Sequence, residues 1–278
     1  MIREVARLPD ALRHSGPPTP WAEMTRPGGD LRSFLEAPIW DGRDLILCDV
    51  AAGRVLRLAE GGDWSIEHEG GAPHAMRLHR GRRIVADYWD GLIDLDAGPI
   101  RGPDEGLLGL SDMAEGPDDA LWITESGRTS LADPRGRVWR WDGAWRLAAE
   151  GLAYPNGVAL GPDGAVAYVA CTRANAVLRF STTLPDDGLP MLGVFLHLSG
   201  GLGPDGLVVA PDGRLAVAQA QAGRAYVFDV LGDPLATMRL PEGRWTTSVT
   251  FDPDDPDRLL IVEAERAAIW EARLEGPC

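Results

Sequence analysis

Three observations predict an all-β chain folded as a six-bladed β-propeller. A phrase of similar design begins near residues 45, 84, 121, 167, 215 and 259, so its period stays between 37 and 48 residues. Each copy reads as a short apolar strand, an acidic or small polar residue, a turn, and a second strand of period two. A further short apolar strand with a Pro-Asp-Gly turn precedes several copies, as in residues 157–164 and 206–213. Proline presets φ and glycine frees it, which is what a tight turn between strands requires. Three to four strands per period of this length make one propeller blade.

The copies follow in order. Residues 45–58 run from an apolar stretch through Asp49 and Gly53 to alternating Arg54–Leu58, and residues 84–95 repeat the pattern around Asp87 and Gly91. The third starts at Leu121 and resumes at Gly136 after the longest insertion. Residues 167–180, 215–228 and 259–270 complete the set. A helical solenoid would show 3.6-residue periodicity, and 34 glycines with 22 prolines punctuate the chain too heavily for one. A parallel β-helix would have a far shorter repeat. The expectation is one domain over residues 1–278, with residues 1–30 as a lead-in and ring-closing segment.

With 45% apolar and 25% charged residues the composition is that of an ordinary globular protein, long enough to bury a core without disulfides. Of the three cysteines, Cys48 and Cys171 lie in apolar runs and are read as buried thiols, and Cys278 as a free tail thiol. Neither a signal-peptide h-region nor an apolar run of membrane-spanning length occurs, so a cytoplasmic protein is expected. The net charge of −15 argues against nucleic acid or an anionic membrane as partner and leaves a small-molecule ligand.

In a propeller the start of each innermost strand points into the central channel. The polar residues there are Glu36, His74, Ser111 with Asp112, Asn156, Asp205 and Ser248. Glu36, Asn156 and Asp205 offer two carboxylates and an amide, hard oxygen donors of the kind that hold Ca²⁺, Mg²⁺ or Mn²⁺. On spacing alone a second reading stays open, that Pro-Asn-Gly and Pro-Asp-Gly are plain turns. His74 reads either as a channel-lining hydrogen-bonding residue or as a metal ligand or proton shuttle. Glu125 and Arg128 open the long insertion and read either as substrate contacts or as loop residues. His79 is expected to be solvated, His197 packed, and Trp40, Trp89 and Trp245 to border the channel.

Leu35-Glu-Ala-Pro-Ile-Trp40, Trp122-Ile-Thr-Glu125, Tyr154-Pro-Asn-Gly157 and Gly203-Pro-Asp-Gly206 together resemble motifs of the regucalcin/gluconolactonase/luciferin-regenerating-enzyme family of six-bladed propellers. The resemblance covers nearly the whole chain. It implies a metal-dependent hydrolase acting on lactones, with one divalent ion on Glu36, Asn156 and Asp205. Calcium is the expected ion, with zinc, manganese and iron as alternatives. Asp205 would then act as general base for water while the ion polarises the carbonyl.

Departures from the family pattern point away from a simple sugar lactone. The second-blade Pro-Asn-Gly is Pro73-His-Ala75, the third-blade Asn-Asp is Ser111-Asp112, and the sixth-blade Thr-Asn is Thr247-Ser248. Gly109-Leu110 stands where sugar-lactone members carry an arginine. His74, Ser111, Asp112, Glu125, Arg128 and Ser248 are accordingly the expected substrate-binding set. The alternatives are a phosphoester-type or non-hydrolytic reaction on the same site, or a non-catalytic propeller stabilised by its metal.

Overall fold

A computed structural model of the chain describes residues 2–274; Cys278 lies outside the described residues. Six antiparallel four-stranded sheets form the six blades. The first contains Leu35–Asp41, Asp44–Asp49, Arg54–Leu58 and Trp64–Glu69, from the axis outward. The innermost strands of the next five are Pro73–His79, Leu110–Glu115, Pro155–Leu160, Gly203–Val209 and Thr246–Phe251. Each packs against its two neighbours and the last packs on the first, which closes the ring. The recurring sequence phrase occupies the second and third strands of every blade.

The sixth blade takes its outer strand from the other end of the chain. Ile2–Arg7 pairs antiparallel with Ala268–Arg273, placing Ile2 opposite Ala272. An apolar cluster fills each gap between successive blades, for example Ile84 and Leu92 of the second against Met113, Ile123 and Trp139 of the third. Facing sheets of alternating pattern can bury one side only against a neighbour, so the blades hold each other. Cys48 and Cys171 are buried free thiols in these clusters.

Buried acids brace the ring. Asp49, Asp87, Glu125 and Glu263 each end the second strand of a blade and each is 1% exposed or less. They accept backbone N–H groups from the loop that enters their own innermost strand: Asp49 from Phe34 at 2.8 Å, Asp87 from Ala72 at 2.5 Å, Glu125 from Leu108, and Glu263 from Trp245 at 2.9 Å. Gln219 does the converse in the fifth blade, donating to the Gly200 carbonyl at 2.6 Å. This repeated position corrects the reading of Glu125 as a substrate contact. Its carboxylate is filled by Leu108, Trp139 and the Arg137 guanidinium.

Other expectations also change. His79 is not solvated: it is 1% exposed, bonded to Glu115 at 2.8 Å and tilted against Trp141. His197 is exposed rather than packed, because it ends an outer strand. Trp40 sits in an outer cleft between blades with Nε1 donating to the Phe251 carbonyl, and Trp89 lies 50% exposed against Tyr88. Among the described residues no helix is long and apolar enough to cross a membrane.

Asp87→Ala strips the acceptor from the N–H groups of Ala72, Trp89 and Asp90. Leaving the buried Ala72 N–H unpaired should cost about 1–3 kcal/mol of stability, read as a shift in urea midpoint. Asp90→Ala, at an exposed residue beside it, should change stability by less than about 0.5 kcal/mol.

Candidate active site

All six inner strand pairs break register close to where the strand meets the axis, at Glu36/Ile39, Pro73/Ala75, Leu110/Met113, Pro155/Val158, Pro204/Leu207 and Thr246/Ser248. A bulge re-aims the side chain it carries. The result is one ring: Glu36, His74, Ser111, Asn156, Asp205 and Ser248 surround a single small cavity on the axis. Its volume of about 10 Å³ has room for roughly one water or bare cation. The glycines beside the ring allow this closeness. A Cβ on Gly157 would stand 2.5 Å from the Asp205 carbonyl oxygen, and one on Gly206 2.8 Å from Ser248 Oγ.

Above this ring opens a cavity of about 570 Å³. Glu36, His74, Ser111, Asn156 and Asp205 form its floor, and Arg128 belongs to its wall. Asp112 and Ser248 border only the small lower space. Asp112 turns between blades, taking the Val158 N–H at 3.1 Å and the Arg77 guanidinium at 3.3 Å. Ser248 Oγ accepts from the Ala37 N–H at 3.0 Å across the sixth and first blades.

The floor is electrically one-sided. Burial, then the charges of Asp205 and Asp112, push Glu36 well above the ordinary carboxylate range. Burial and then Asp112 do the same to Asp205. Asp112 is raised by burial, with Arg77 and backbone N–H groups pulling it back. Asn156 Nδ2 donates to Asp205 Oδ1 and lies 3.4 Å from Thr172 Oγ1. Among the described residues no hydrogen bond or guanidinium reaches Glu36, Asp205 Oδ2 or Asn156 Oδ1. A half-buried Glu36 and a buried Asp205 without a counter-charge are costly, and a hard divalent cation on these oxygens fits them. Among the described residues no three His, Cys, Asp or Glu side chains gather as a metal cluster, so such an ion would rest on two acids and an amide.

His74 is 6% exposed, its ring held between Trp21 and Tyr88 at 5.4 Å from each. Nδ1 lies 3.0 Å from the Ala72 carbonyl. A carbonyl only accepts, so Nδ1 carries the proton and Nε2 is left as an acceptor. Burial lowers the imidazole pKa to about 4, with the Ala72 bond pulling weakly the other way.

Trp245, expected at the channel, does line this wall, while Trp21, Phe34 and Tyr154 are wall residues outside the expected set. Trp21 comes from a short helix, Pro20–Thr25, capped by Thr19 Oγ1, which accepts the Ala22 N–H and donates to the Ala51 carbonyl. Phe34, Tyr154 and Trp245 stand two or three places before Glu36, Asn156 and Ser248. An aromatic residue just ahead of the ring position, recurring in three blades, was the available signal. Tyr154 adopts φ +61, fixed by its N–H on Thr129 Oγ1 and its carbonyl on the Thr172 N–H.

The SMP-30/Gluconolactonase/LRE-like region model matches residues 34–265. The chain belongs to this family. A relative, the lactonase drp35 of Staphylococcus aureus (strain USA300), is 27% identical over 247 residues, which are 80% of this chain and 73% of that protein. Among solved SMP-30/gluconolactonase/LRE-like folds, the calcium-binding protein regucalcin from Agrobacterium tumefaciens superposes with TM-score 0.73 at 22% identity, over 88% of this chain and 92% of that one. A gluconolactonase from Xanthomonas campestris superposes with TM-score 0.75 at 23% identity, over 98% and 99%. At these identities the structural likeness shows the fold.

The low imidazole pKa of His74 has a pH consequence. Between its ordinary 6.5 and about 4 the unfolded chain takes up a proton that the folded chain refuses, so stability falls as pH drops through that window. His74→Gln should remove about 3 kcal/mol of the stability lost between about pH 7 and about pH 4, measured by urea titration at both pH values. An unchanged pH dependence would contradict a buried neutral His74.

Proposed function

We propose that the protein hydrolyses a lactone in the cavity above the axial ring, with a divalent cation on Glu36, Asn156 Oδ1 and Asp205. The observation that carries this is the pair of uncompensated carboxylates on the floor of a cavity walled by aromatic rings. Membership of the family, and relatives named lactonase and gluconolactonase, support the ester class.

When bound, the cation supplies Lewis-acid polarisation of the ester carbonyl. This chain's own residues do the rest. Asn156 Nδ2 orients the Asp205 carboxylate through Oδ1, and that carboxylate takes the proton of the attacking water. The water oxygen bonds to the carbonyl carbon, the ring C–O bond breaks, and the leaving alkoxide takes from Asp205 the proton that the water gave up, which yields the hydroxy acid. His74 Nε2, kept as an acceptor, can hold a hydroxyl or a water on the far side of the floor. Trp21, Phe34, Tyr88 and Trp245 favour a substrate with an apolar face.

Two measurements test this. Titrating Ca²⁺, Mn²⁺ and Zn²⁺ should raise the melting temperature, with a gain of about 2.7 kcal/mol at a hundredfold excess over Kd. Glu36→Gln and Asp205→Asn should abolish the gain; no shift with any of the ions removes the metal site. A pH-drop assay over a lactone panel should show turnover that EDTA stops and metal restores. Asp205→Ala should lower it on the order of 10³-fold, and full activity in that variant would sink the assignment of the base.

A further inference from the structure

We propose that the mouth of the cavity contains a carboxylate-binding subsite made by Arg128 and Arg173, and that the substrate is a lactone bearing a carboxylate. This rests on the lactonase reading for the word lactone, but the anion subsite stands on its own observations.

All 27 basic residues of the chain are arginine. Most are consumed by structure: Arg57 meets Asp41, Asp44 and Glu67, and Arg137 fills Glu125. Arg146 donates to the Leu184 and Pro185 carbonyls. Arg128 and Arg173 meet neither a carboxylate nor a hydrogen-bond acceptor through their guanidinium groups among the described residues. They are also the two arginines in the wall of the cavity above the ring.

Both are placed by the wall. The Arg173 guanidinium lies over the Tyr154 ring at 5.7 Å, and its backbone N–H is bonded to the Ala153 carbonyl. A cation on an aromatic face is oriented without losing its N–H donors. Arg128 follows Gly127, whose N–H is bonded to the Gly109 carbonyl, and its charge acts on the Tyr88 phenol. Thr129 beside it fixes the Tyr154 backbone, so the two arginines are tied through one tyrosine.

The charge pattern then selects the ligand. A chain of net charge −15 repels anions at long range, and Glu36 and Asp205 repel them at the floor. Two unneutralised guanidiniums at the mouth reverse that sign locally and bind a carboxylate by charge-assisted hydrogen bonds. An anionic lactone would therefore enter with its carboxylate held outward and its ester toward the floor. A neutral sugar lactone would leave both arginines unused.

The test uses benzoate and its uncharged counterpart benzamide, titrated into the metal-free full chain while tryptophan fluorescence is read; Trp21 and Trp245 report from the same wall. Benzoate should bind at least about tenfold tighter than benzamide, and Arg128→Gln and Arg173→Gln should each weaken benzoate about fivefold. Neither substitution should move benzamide. Equal binding of the two probes, no saturable benzoate binding, or wild-type benzoate affinity in both variants overturns the subsite. With metal-loaded protein, a γ-butyrolactone carrying a carboxylate should show a lower KM than its methyl ester. The Gln variants should raise that KM with kcat unchanged. Lack of hydrolysis of either compound, with benzoate binding intact, would sink the lactonase reading alone. Equal KM for acid and ester, with hydrolysis intact, would sink the carboxylate subsite alone.

Discussion

The constraint on which the rest of the structure depends is convergence: six innermost strands must meet around one axis without filling it with backbone. The buried acids at the ends of the second strands satisfy this by taking the N–H groups of the incoming loops, as Asp49 does with Phe34 and Glu263 with Trp245. An acceptor inside the sheet fixes where the loop ends and the strand begins. Threonines then pin blade to blade, Thr124 to the Asn156 carbonyl, Thr172 to Pro204 and Thr247 to Leu35. With the entries held in these ways, the bulge that follows aims the ring side chain at the axis.

The same geometry explains the electrostatics of the floor. Side chains aimed at one axis from six directions are close whatever their charge, and solvent reaches them only from the mouth. Glu36 and Asp205 are thus held together by backbone bonds made elsewhere, and the blade interfaces bear the cost of crowding them. An apolar cluster between every two blades gives the ring stiffness enough to keep like charges near each other.

Much of this was legible in the sequence because strands leave a period of two and blades a period near forty. The six blades, their second and third strands and the ring positions from Glu36 to Ser248 all follow from repetition. Glu125 was misread because it stands beside an insertion, although its place in the repeat matches Asp49, Asp87 and Glu263. His79 was misread because neighbouring arginines suggest a wet turn, while its partner Glu115 lies 36 residues on in another blade. Trp21 could not be found from periodicity, since a six-residue helix outside the repeat leaves no period to read. Arg173 carried no signal in the sequence, because the Tyr154 ring beneath it comes from a neighbouring loop entry 19 residues earlier.

The pairing of Ile2–Arg7 with Ala268–Arg273 also sets an order of events during synthesis. The Ile2–Arg7 strand finds its partner only once Ala268–Arg273, more than 260 residues later, has been made. Until then the nascent protein carries five blades able to form locally and a first strand with an unpaired edge. Closure is therefore a late, long-range step in which the two most distant segments join at once, and it completes the sheet that supplies Ser248 to the axis.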